Sequence, residues 1–351
     1  MKKFLLLNLI FLGSLYSQDY YFSKYAPFDE EIKSPEEFLG YPIGEMHTRH
    51  DLINSYIRYL SDFSDKADMF SYATSYEGRK LIYLIVSSPE NIKNIETIRK
   101  SHLSYIKPDD ENYNESIKPS DFPVIINLGF NVHGNEPSSS EAAMLTAYTL
   151  ISSKSKEVKD YLENSIVLID PTINPDGRDR HTQWVNSYKS SPLVDDPQDA
   201  EHNEYWPGGR TNHYWFDLNR DVLLGIHPET RGKIDFHHNW YPNVTMDFHE
   251  MGTNSTYFFV PWKTHAAKDP VIPQENYEYF ERLFGEFFAK GLDEIGSMYF
   301  SKEAYDKTYP GYHSSYGDLM GGIGMLFEQA SSRGHKQVTQ FGEITFPFTI
   351  R

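Results

Sequence analysis

His133 and Glu136 stand three residues apart in His133-Gly134-Asn135-Glu136. At that spacing an imidazole and a carboxylate can face the same side across one turn. His249 follows a second apolar segment that begins at Val244, and the chain contains no cysteine. Any metal bound here must therefore be held by imidazole and carboxylate. Two His and one Glu leave one position of a four-coordinate zinc open, the arrangement of a catalytic site. Taken alone the pair carries little weight: a chain with fourteen histidines holds about one His-x-x-Glu by chance. By itself His133 reads as a loop histidine. His249-Glu250 does not extend to His-Glu-x-x-His, because position 253 is Thr.

Two further residues could do chemistry. Glu328 closes the apolar run Gly324-Met325-Leu326-Phe327, where an acid is costly unless it is used or paired. Partial burial there would raise its pKa toward a value suited to a general base, and Arg333 is the competing partner. Arg220 offers a planar fork that can grip a carboxylate through two hydrogen bonds, with Asp217 and Asp221 as rival partners. His237 and His238 fall in a helical stretch and read as solvated or capping. His181, His202, His213 and His313 fall in loops and read as lining or surface residues.

These residues need elements to position them. Asp51 to Leu60 carries the three-to-four apolar spacing of an amphipathic helix. Tyr72–Tyr76 and Lys80–Val86 flank Glu77-Gly78-Arg79 as a strand pair around a glycine turn. Apolar runs at 122–129, 165–170, 244–248 and 324–328 read as buried strands, with helical patterns at 140–150 and, longest of all, 274–297. This alternation predicts a three-layer α/β/α fold around a mixed, mostly parallel sheet, whose ligand site lies beyond the carboxyl ends of the strands. Residues 18–45 look irregular. Residues 177–216, rich in Pro, Gly, Asn, Asp and aromatics, read as one long functional loop.

In order along the chain, Tyr76-Glu77-Gly78-Arg79-Lys80, His133-Gly134-Asn135-Glu136, Asn174-Pro175-Asp176-Gly177, Phe216-Asp217-Leu218-Asn219-Arg220, Asp247-Phe248-His249 and Phe327-Glu328 resemble the blocks of the carboxypeptidase A-like zinc metallocarboxypeptidases. The resemblance spans about residues 50–335. It implies a zinc exopeptidase-like fold with one Zn2+ per chain held by His133, Glu136 and His249, with Glu328 as base and proton shuttle. It implies that Asn219 and Arg220 grip the substrate's terminal carboxylate. Asp217 falls where the family keeps a carboxylate that orients the first histidine, and a turn cap is the alternative reading. Tyr309 matches the family's mobile tyrosine, with Tyr305 and Tyr312 as alternatives. One departure stands out: the family's arginine after a tryptophan is missing, since Val185 and Asn186 follow Trp184. Arg178, Arg180 or Arg210 would have to supply that positive charge.

Met1-Lys2-Lys3, the apolar run from Phe4 to Leu15 and the polar break at Ser17 and Gln18 have the layout of a signal peptide over residues 1–17. The run is too short to span a bilayer, which takes about 20 residues. We expect a protein secreted or in the periplasm, with a catalytic domain over residues 46–351. A net charge of −17 argues against nucleic acid as a partner. The expected activity is removal of C-terminal residues from peptides. A related amide hydrolase acting on acylated amino acids or cell-wall peptides is the alternative, and a non-catalytic binding module with the same fold is a third. The apolar segment from Gly342 to Arg351 suggests a chain truncated at its C-terminus. Side-chain preference and oligomeric state are not encoded in any motif.

Overall fold

The computed structural model describes residues 22–107, 122–192, 198–252, 255–263, 268–331, 336–339 and 342–345, with 116, 118, 120, 194 and 196 as single positions between them. The signal-peptide segment 1–17 and Arg333 lie outside the described residues. Seven strands form one sheet: β1 (Ala67–Thr74), β2 (Lys80–Val86), β3 (Val124–Phe130), β4 (Ser165–Asp170), β5 (Val244–Met251), β6 (Tyr257–Phe259) and β7 (Ile323–Ala330). Their spatial order is β1-β2-β4-β3-β5-β7-β6. The four central strands pair in parallel, while β1, β2 and β6 join antiparallel at the margins. A separate hairpin, β8 (Lys336–Thr339) with β9 (Gly342–Thr345), follows.

Side chains of successive strand residues point to opposite faces, and here each face has its own helices. Ile82, Leu84, Val86, Val167, Ile169, Leu128 and Phe130 bury against α1 (His50–Asp62), α2 (Ser138–Ser152) and α3 (Lys156–Asn164). The alternate residues Tyr83, Ile85, Ile125, Ile166 and Leu168 bury against Phe236 and Trp240 of α5 (Pro228–Trp240). Between α3 and α5 the chain forms α4 (Pro175–Tyr188). Past β5 a third cluster seats Phe259, Met325 and Phe327 against Phe284 and Phe288 of α6 (Glu281–Glu294). Ile57 of α1 is fully buried, so truncating it to Ala should cost about 2–5 kcal/mol.

From β3 the chain moves outward to β4, then returns past β3 to β5 on the other side. The carboxyl ends of β3 and β5 thus flank a topological switch point, the place where open α/β sheets bind ligands. Two expectations differ from this fold. Residues 18–45 include a short helix, Pro35–Leu39, closed by a reciprocal cap between Ser34 and Glu37. It is too short for an apolar period to reveal. The supposed loop 177–216 begins with α4, whose Asn174 side chain accepts from Gly177 N and whose first turn holds Pro175. Its buried face carries Asp176, Arg178, His181 and Thr182, so no hydrophobic period marks it.

Candidate active site

Just past β3, Asn131 takes a left-handed conformation (φ 60°) and its amide donates to the carbonyls of His133 and Glu136, each at 2.9 Å. The turn carrying both residues is thereby closed on itself. Gly134 has no alternative here: a Cβ would lie 2.2 Å from Arg178 N. His249 lies inside β5 rather than after it, and the β5–β7 register pairs it with Glu328.

Both imidazoles turn Nδ1 inward. His133 Nδ1 is 2.7 Å from Glu136 Oε1. His249 Nδ1 is 3.0 Å from Glu136 Oε2 and 3.2 Å from His133 Nδ1. Ligand atoms of these three buried residues all lie within 4.8 Å of one another. Two imidazole nitrogens and a carboxylate fit zinc by donor type and number. Each ring is backed at Nε2 by a carboxylate, His133 by Asp217 Oδ1 at 2.9 Å and His249 by Asp247 Oδ2 at 2.8 Å. Asp217 Oδ1 also accepts Asn219 N at 2.9 Å, so one oxygen both caps the turn and faces the ring. Burial opposes protonation of both rings. The charges of Asp247 and Glu136 nonetheless raise His249 well above an ordinary imidazole, and Glu136 with Asp217 raises His133.

Beside the trio opens a cavity of about 320 Å³, whose wall includes Glu328, Arg210, Asn219 and Arg220. Burial, reinforced by the charge of Glu136, pushes the Glu328 carboxyl up to about 7. Glu250 also reaches the wall, but Oε1 accepts from Ser138 N at 2.6 Å and Ser138 Oγ, and Oε2 from Ser331 Oγ. Both of its oxygens are occupied, which leaves it poorly placed to take a proton from water.

The three arginines separate cleanly. Arg178 is fully buried, donating to Glu141, Thr48 O and Pro137 O. Arg180 donates to the carbonyls of Gly208, Thr211 and Asn212. Arg210 alone of the three lines the cavity, with Nη1 3.2 Å from His133 Nδ1 and Nη2 3.0 Å from Asp217 Oδ2. Its position follows from close backbone contact: Gly209 O would lie 2.6 Å from a Cβ on Gly134 and 2.4 Å from one on Gly177. Glu204 ties the same loop to the ligand turn, accepting from Asn135 at 2.7 Å and Gly209 N at 2.9 Å.

Arg220 projects toward the cavity with its guanidinium over the Tyr312 ring at 4.7 Å. Asn219 is committed inward: Oδ1 accepts His313 N at 2.9 Å, and Nδ2 stands 3.2 Å from His249 Nε2. Tyr309 is not brought into the cavity wall. Its hydroxyl donates to Arg220 O at 2.9 Å, while Tyr305 and Tyr312 do line the cavity. Burial raises the Tyr305 phenol, and the charges of Glu328 and Glu136 add to it. His313 lies buried behind Asn219, His181 pairs with Glu204, and His213 pairs with Glu77 at the surface. Asp247 was missed as a ring partner, although strand alternation puts residues i and i+2 on one face and could have revealed it.

The sequence model of the zinc carboxypeptidase family matches residues 53–323. No curated protein matches the chain. Among solved structures, the fold is similar to carboxypeptidase A from Helicoverpa armigera, at 15% identity and TM-score 0.54, covering 91% of this chain and 71% of that one. A metallo-carboxypeptidase from Pseudomonas aeruginosa, in complex with (2-guanidinoethylmercapto)succinic acid, is similar at 14% identity and TM-score 0.51, over 81% of this chain and 60% of that one. A Burkholderia mallei chain of the same fold, at 14% identity and TM-score 0.52, is covered over 59% of its length by 80% of this chain. The present chain thus spans about 60% of the length of these two bacterial relatives. At such identities the likeness establishes the fold.

Proposed function

This chain belongs to the zinc carboxypeptidase family, and from that premise we propose that it removes C-terminal residues from peptides outside the cytoplasm. Zinc is the family's metal, and His133, Glu136 and His249 would hold it. Bound there, it supplies Lewis acidity to the scissile carbonyl and to the attacking water. Export rests on the apolar run Phe4–Leu15 behind Lys2 and Lys3.

The remaining roles belong to the chain itself. Glu328 takes a proton from the attacking water and passes it to the leaving amine, a task suited to a buried carboxyl that can hold a proton near neutral pH. Arg220 binds the terminal carboxylate, its plane steadied by Tyr312. Asn219 supports that arginine by accepting Arg220 Nη1 on its carbonyl at 2.8 Å. Arg210 faces the carbonyl oxygen as negative charge develops on it, replacing the arginine absent after Trp184. Tyr305 takes the place at the cavity that the resemblance gave to Tyr309.

The observation that carries this reading is the strand register that sets Glu328 beside His249 on a cavity also lined by Arg220. Paired peptides with free and amidated C-termini test it. Amidation removes a charge-assisted contact whose loss costs about 2–5 kcal/mol, so kcat/KM should fall roughly 30-fold to several thousand-fold. Arg220→Ala should erase most of that difference. Equal cleavage of both peptides by the wild-type protein would refute the exopeptidase reading and leave the zinc site standing.

A further inference from the structure

Lys307 is fully buried, a costly place for an ammonium unless partners surround it. Its Nζ donates to Gly324 O of β7 at 2.6 Å and pairs with Asp318 of α7 (His313–Leu319). Asp318 is itself held, since its Oδ1 accepts from Asn276 Nδ2 at 2.5 Å. Glu281 Oε1, at the start of α6, stands 3.5 Å from the same ammonium, which also lies 5.3 Å from the centre of the Trp262 ring. One cation thus ties its own stretch of chain to β7, α7, α6 and Trp262.

Every stretch but α6 contributes to the cavity wall. Trp262, Ser314 of α7 and Leu326 of β7 line it, and so do Ala304, Tyr305 and Asp306, which lead directly into Lys307. That last stretch is not one the backbone holds by itself. Lys302 and Ala304 take left-handed conformations, φ 64° and 60°, which residues with a Cβ keep only where their surroundings fix them. From there Tyr305 lays its ring against Phe258, centroids 4.6 Å apart, and Phe258 is paired with Glu328 in the β6–β7 register. Where this stretch is anchored therefore decides where the Tyr305 phenol sits.

We propose that Lys307 is a positioning residue, whose buried ammonium anchors the strained 302–306 stretch to β7 and α7 and so holds Tyr305 at the cavity. The inference rests on the place given to Tyr305 in the proposed function. Its geometric part, the anchoring, stands apart from any activity. An apolar side chain of the same length could fill the space, but it could not bond a strand carbonyl and a helix carboxylate at once.

Lys307→Met tests this, because it keeps the stem and removes the ammonium. In hydrogen exchange followed by mass spectrometry, fragments covering 300–309 should exchange about tenfold faster than in wild type, while those covering 133–136 and 247–249 stay unchanged and zinc content holds. On peptides kcat/KM should fall about 10–100-fold. The same change made in Tyr305→Phe should cost less than about threefold more, because the hydroxyl being positioned is already gone. A purely structural role gives equal losses in both backgrounds, and that result overturns the inference, as does unchanged exchange over 300–309. Should Lys307→Met not fold, Asp318→Asn keeps the partner's shape without its charge and should show the same pattern at smaller size. A wild-type chain that cleaves no peptide refutes the proposed function, and the exchange measurement then decides the anchor alone.

Discussion

Arg210→Ala is the sharpest test of how this chain manages without the arginine that should follow Trp184. The side chain is 45% exposed and pairs at the rim with Asp217 Oδ2 at 3.0 Å and Glu136 Oε1 at 3.5 Å. Rim pairs of this kind contribute at most about 1 kcal/mol to folding, so the melting curve should hardly move. Asp217 keeps its contacts with His133 Nε2 and Asn219 N, so zinc content should hold as well. The loss should fall on the transition state. Removing one preorganised donor to a developing oxyanion costs about 2.7–4 kcal/mol, or roughly 100- to 1000-fold in kcat. KM should change by no more than about threefold, because the neutral ground-state carbonyl gains little from the guanidinium. Arg210→Lys keeps the charge but not the fork, and should restore part of the rate. The assay is steady-state hydrolysis of free and amidated peptides, with zinc content and melting temperature measured on the same samples. A kcat within about tenfold of wild type, with zinc intact, would refute the role of Arg210.

Glu328→Gln should keep both fold and zinc while kcat falls by about 10²–10⁴; wild-type-like turnover would move the base elsewhere. The chain should carry about one zinc, and His133→Ala or His249→Ala should lose most of it, so unchanged metal content in both variants would remove the site. Arg178→Ala strands the fully buried Glu141, paired at 2.7 Å, and should cost about 3–5 kcal/mol in urea unfolding; a cost below about 1 kcal/mol would contradict the pairing. Burial, with the charges of Asp176 and Asp221, pushes Glu229 up to about 7. The folded state therefore holds this proton more tightly than the unfolded chain. Its stabilising effect is complete below the unfolded pKa and fades as pH rises through about 7, by roughly 3 kcal/mol at most. Melts at pH 5 and pH 8 should show a smaller difference in Glu229→Gln than in wild type, and equal differences would refute the assignment.

Much of the frame was legible because apolar runs report burial directly. The strands at Lys80–Val86 and Ser165–Asp170 match their runs residue for residue, since both are buried along almost their whole length. Helix α4 was not legible, because the face it buries is polar and is satisfied by partners far away in sequence. Arg178 bonds to residues 37 to 130 positions distant, and no local pattern signals such a bond.

For the site, sequence alone determined the donor types, since a chain without cysteine must hold a metal with imidazole and carboxylate; the choice of His133, Glu136 and His249 as ligands and Glu328 as base came from the ordered blocks that resemble the family. Tertiary structure decided which of these groups meet. The β5–β7 register brings Glu328 beside His249, and a one-residue slip would turn either side chain to the opposite face. Among three arginines that the sequence left equivalent, only Arg210 lines the cavity, because Arg178 and Arg180 are committed to carbonyls and Glu141 elsewhere. Residue chemistry is local and can be read from the chain. Distance between side chains remote in sequence comes from packing, which is a property of the whole fold.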